Sequence, residues 1–119
     1  MGAVKQLVQG SDLTINIQLI GVDGEPIQVN NCDDIVLYLY QQRENILLQI
    51  DKSEMTTVSN ILGKLRAQVL GSTTENITGR IFVEVVANVI NLNWDAGVEV
   101  IKFPPIVVCD VINSVSNGS

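Results

Sequence analysis

The chain has 119 residues, 46% of them apolar and 17% charged, with thirteen acidic residues, seven basic ones, no histidine and a formal net charge of −6. That is the length of one domain with enough apolar matter to bury a core. The missing imidazole excludes triads built on histidine and the usual general base at neutral pH, while the scattered cations offer no basic patch for nucleic acid or an anionic membrane surface.

Residues 13–20 read Leu-Thr-Ile-Asn-Ile-Gln-Leu-Ile. Leu13, Ile15, Ile17 and Leu19 point one way and Thr14, Asn16 and Gln18 the other, which predicts a strand with one face in a core and one in water. "GVDGEP" then supplies two glycines and a proline for a tight connection, and "PIQV" reads as a short strand. "NNCDD" reads as a polar turn. "DIVLYLYQ" follows with both faces apolar: Ile35, Leu37 and Leu39 on one, Val36, Tyr38 and Tyr40 on the other. Such a strand is covered on both sides, by its own fold or by a partner.

After the "QREN" turn, "ILLQID" alternates through Ile46, Leu48 and Ile50; Met55 to Leu62 fits a ragged strand or a loop. "KLRAQV" places Leu65, Ala67 and Val69 inward. In "GSTTENITG", Ser72 and Glu75 have the spacing of a capping box and predict one helical turn. "RIFVEVVANVI" is the longest predicted strand, with Ile81, Val83, Val85, Ala87 and Val89 on one face and Phe82, Glu84, Val86 and Ile90 on the other. Glu84 would be costly if buried there without a partner. "NLNWDAG" is a turn that exposes Trp94, "VEVIKF" is a strand stopped by Pro104 and Pro105, and "IVVCDVI" is the last.

Seven to eight short strands, one helical turn and frequent turn signals predict an all-β fold, an antiparallel two-sheet β-sandwich of immunoglobulin-like type. The expected organisation is one domain over 1–112 and a flexible tail over 113–119. Cys32 and Cys109 are too few for a disulfide framework or a zinc site and read as small apolar residues. No acidic loop has calcium spacing and no glycine-rich loop precedes a helix, so neither a metal nor a cofactor is expected. The carboxylates fall mostly in turns or outward on strands, so no catalytic residue is assigned and the chain reads as non-enzymatic.

A two-layer sandwich buries one face of each sheet. The surplus apolar side chains Tyr38, Tyr40, Phe82 and Val86, with Trp94, are therefore candidate interface residues. Trp94 also admits a second reading, a sugar platform or an anchor for a cell-surface partner.

The series "QGSD" (Gln9, Gly10, Asp12), alternating strand, "GEPI" (Gly24, Pro26, Ile27), polar turn, "DIVLYLY", with "STTENITGRIFVEV" later, resembles the N-terminal immunoglobulin-like domain of phage baseplate upper proteins and related small phage virion sandwiches. The resemblance implies a structural subunit at a baseplate, tail, neck or capsid surface, packing against other virion proteins or copies of itself. It implies synthesis in the bacterial host cytoplasm, and no signal peptide is legible in "MGAVKQLVQGSDL". No run of about eighteen apolar residues predicts membrane insertion.

Overall fold

The computed structural model describes residues 5–114. Among them the strands are β1 (Gln6–Val8), β2 (Leu13–Gln18), β3 (Cys32–Gln42), β4 (Asn45–Asp51), β5 (Thr56–Ser59), β6 (Lys64–Val69), β7 (Gly79–Ile90), β8 (Val98–Lys102) and β9 (Ile106–Ile112). One sheet has the order β2-β6-β5. The other has the order β1-β9-β7-β3-β4, with β8 also on β7. This is an all-β sandwich with immunoglobulin-like strand order, in which β3 and β7 form the centre of the larger sheet.

Strict alternation builds the smaller sheet. Every second residue of β2 and β6 is buried, and the two strands pair in unbroken register from Leu13↔Val69 to Gln18↔Lys64. The larger sheet meets them through Ile35, Leu37 and Leu39 of β3 and Ile81, Val83 and Ala87 of β7, all at most 1% exposed. The inward sets predicted for β2, β3, β6 and β7 are buried, except that Val89 near the end of β7 is half-buried against the core.

β8 and β9 lie on the same side of β7, β9 against its first half and β8 against its second. Phe103, Pro104 and Pro105 lie between them opposite Glu84 and Val85. The prolines cannot donate to the ladder, and Phe103 N–H bonds Val85 O at 2.9 Å. The last two strands are one strand interrupted by a proline bulge.

Several local readings change. "PIQV" is not a strand: Pro26 makes only an isolated bridge to Ile20, and Val29–Asn31 form a 3-10 turn. Cys32 already belongs to β3, because it pairs with Val89 of β7; Lys52 Nζ donates to its carbonyl at 2.7 Å and its side chain is buried in the core. The helical turn after β6 is a 3-10 turn at Gly71–Thr73 whose cap, Leu70, makes no side-chain bond. Its Gly71 N–H is held by Asp12 Oδ1 at 2.7 Å instead. Capping-box geometry occurs at Lys52–Glu54, where Asp51 N–H donates to Glu54 Oε1 at 3.1 Å. β1 is a strand that alternation over three residues could not reveal; it pairs with β9 in parallel. Of the tail expected over 113–119, residues 115–119 lie outside the described part. Ser114 is 9% exposed and its N–H bonds Gln9 Oε1 at 3.3 Å.

Cys32 and Cys109 are free and buried. They face Val89 and Ile81 of β7, eight residues apart along one strand. At about 3.3 Å per residue that separation rules out a disulfide between them.

Candidate interaction face

The outer face of the larger sheet brings four of the five sequence-predicted residues together. Tyr40 opposes Phe82, Tyr38 opposes Glu84 and Val36 opposes Val86. The Tyr40–Phe82 row continues to Ile46 of β4 and Val107 of β9, which are 48% and 41% exposed. Sequence reading missed these two because register breaks beside Tyr40 and Phe82 shift the parity of β4 and β9.

Tyr40 is 5% exposed although it stands outside the core. Its ring stacks on Phe82 with centroids 5.8 Å apart and planes at 23°. The Arg43 guanidinium lies over the ring, 5.9 Å from its centre, a cation–π contact. The hydroxyl donates to Glu84 Oε1 at 2.9 Å, and Arg43 reaches the same oxygen at 2.7 Å. Glu84 thus has the partners that its mid-strand position demanded. Burial raises the Tyr40 pKa and the Glu84 hydrogen bond and charge raise it further, while Arg43 pulls the other way. The result is a fixed polar knot inside an otherwise apolar face.

Trp94 is not part of this face. It sits 55% exposed in the turn between β7 and β8, which is closed by Trp94 N–H to Asn91 O at 3.1 Å and Gly97 N–H to Trp94 O at 2.9 Å. The same end of the sandwich carries the 19–31 link and the 60–63 turn, joined by Leu19 N–H to Gly63 O and Val29 N–H to Asn60 O. Val22 and Leu92 are almost fully exposed here.

This end is also strongly acidic. Asp23 and Glu25 lie in the link, Asp33 and Asp34 open β3, and Asp95 and Glu99 belong to the hairpin. Lys52, whose Nζ reaches Cys32 O, and Lys64 at the start of β6 are the cations nearby. Six carboxylates against two lysines give this end a net charge of −4. No three His, Cys, Asp or Glu side chains among the described residues gather as metal ligands, and no described helix is long and apolar enough to cross a membrane.

No protein-family model matches the chain, and no curated protein shows significant similarity to it.

Proposed function

We propose that the chain is a non-enzymatic structural subunit that works through protein–protein assembly. On the likeness of its sequence to small phage virion sandwiches, the assembly is a phage or prophage tail, baseplate or capsid surface. The observation that carries this reading is the outer face of the larger sheet. Tyr38, Phe82 and Val86 are half-buried there, and Ile46 and Val107 extend the patch across four strands. A sandwich supplies nothing of its own to cover that face, and apolar patches rimmed by polar groups mark contact surfaces.

The test is mass spectrometry of particles purified from the phage or prophage that encodes the chain. The chain is expected as a stoichiometric component, and a Val86→Asp version is expected to be missing from otherwise normal particles. Particles that never contain the chain overturn the virion reading. A second reading rests on one observation, the exposed Trp94 ring at the hairpin tip: a module that binds carbohydrate or a cell-surface partner. It predicts glycan-array binding that Trp94→Ala abolishes; an array with no bound glycan removes it.

A further inference from the structure

The smaller sheet ends in a strand edge unlike the others. Among the described strands β1 has three residues, and the ladders of β4 and β5 contain register breaks. β8 carries Glu99 and Lys102 and runs into two prolines. These are the devices that keep sheet edges from pairing with other chains. β2 has none of them: six residues, unbroken register with β6, no charge, no proline and no glycine.

The direction of its free backbone groups follows from the ladder. Leu19 N–H bonds Gly63 O at 2.9 Å, which continues the β2–β6 pairing. The odd-numbered residues of β2 therefore exchange bonds with β6, and Thr14, Asn16 and Gln18 turn their N–H and C=O groups away from it. Beside that edge lies a groove of about 270 Å³ between the two sheets, lined by Ile17, Leu19, Val83, Val85, Phe103 and Ile106. Ile106 is 49% exposed on its wall.

We propose that two copies of this chain join through β2, antiparallel, about a two-fold axis beside Asn16. The strand is self-complementary in that register. Asn16 faces Asn16 of the second copy, Thr14 faces its Gln18, and Ile15 faces its Ile17. Every outward N–H and C=O of Thr14, Asn16 and Gln18 gains a partner, and no like charges meet across the seam. The two three-stranded sheets become one of six strands, an isologous and closed contact. The groove walls of the two copies are brought together over Phe103 and Ile106. Antiparallel pairing also sends the two acidic ends in opposite directions, which keeps most of the negative charge away from the seam. This surface is distinct from the outer face of the larger sheet, and the inference stands whether or not that face docks.

The test is sedimentation equilibrium of the full chain from micromolar to millimolar concentration, with circular dichroism as the control for folding. The native chain is expected at twice its 13.0 kDa. Asn16→Lys places two lysines face to face on an exposed position and is expected to raise the dissociation constant about tenfold or more with an unchanged spectrum. Register is read by cross-linking. The hydrogen-bonded pair at the axis has a Cα separation of about 5.5 Å, within disulfide reach. Asn16→Cys is therefore expected to cross-link with itself under oxidation. Thr14→Cys is expected to cross-link only when mixed with Gln18→Cys. A mass of 13.0 kDa at all concentrations overturns the proposal. So does a dimer that survives Asn16→Lys and leaves Asn16→Cys unlinked, since it must use another surface.

Discussion

Tyr40 shows how a face can be both apolar and discriminating. Its ring is covered by Phe82 and Arg43 while its hydroxyl is committed to Glu84. The pKa is raised above its ordinary 10.0, chiefly by burial. Burial likewise raises the thiols of Cys32 and Cys109 above 9.0. A group whose pKa is higher folded than unfolded favours folding while it stays protonated in both states, and loses that contribution as pH rises through the folded value. These three groups are therefore expected to lower stability only above pH 9, the tyrosine acting from pH 10 upward. Tyr40→Phe should be less stable at pH 7 by about 1 kcal/mol for the lost hydrogen bond, yet show a shallower decline above pH 10. Urea unfolding at a series of alkaline pH values reads both effects. A parallel decline in the two proteins would show that the phenol does not titrate in this range.

The elements separate what was legible in the sequence from what was not. Period-two alternation located β2, β6, β7 and the inner face of β3, because a strand with one face in the core must repeat every second residue. It failed where the period breaks. The bulges beside Tyr40 and Phe82 concealed Ile46 and Val107, and three residues of β1 are too few to show a period. "PIQV" looked like a strand from composition alone, but its backbone is engaged elsewhere, with Ile27 N–H on Leu19 O and Val29 N–H on Asn60 O. The Ser72/Glu75 spacing located a single helical turn, but the N–H of Gly71 that opens it is held by Asp12, fifty-nine residues away, a tertiary contact that no local pattern encodes. Four of the candidate interface residues converged because they share the parity of two neighbouring central strands. Trp94 stood apart because a turn has no parity. The close approach at Gly71 sets its own test. A Cβ there would overlap the carbonyl of Gly10, so Gly71→Ala must push apart the β1–β2 turn and the turn before β7, at a cost of about 3 kcal/mol. Gly24→Ala, with φ +83 but open space around it, should cost about 1 kcal/mol. Denaturant midpoints that rank the two in the opposite order would refute this account.

At the scale of the whole molecule, charge and connectivity matter more than any single contact. The acidic end repels itself in a compact state. Salt shortens the reach of that repulsion to about 10 Å at 0.1 M, so the melting temperature is expected to rise when sodium chloride is added to a low-salt solution. A fall would mean that the Arg43–Glu84 and Arg80–Asp110 pairs outweigh the repulsion. The pairing of the first strand with the last has a different consequence. β1 and β9 run in parallel from Gln6↔Asp110 to Val8↔Ile112, with Lys5 O and Gln9 N–H extending the ladder at either end. Tension entering before β1 and leaving after β9 pulls the two strands lengthwise past each other. It loads these hydrogen bonds together, as a lap joint is loaded, rather than peeling them one by one. The fold is thereby clamped at the two places where force enters and leaves, and the mechanical strength of the domain resides in a seam of three paired residues.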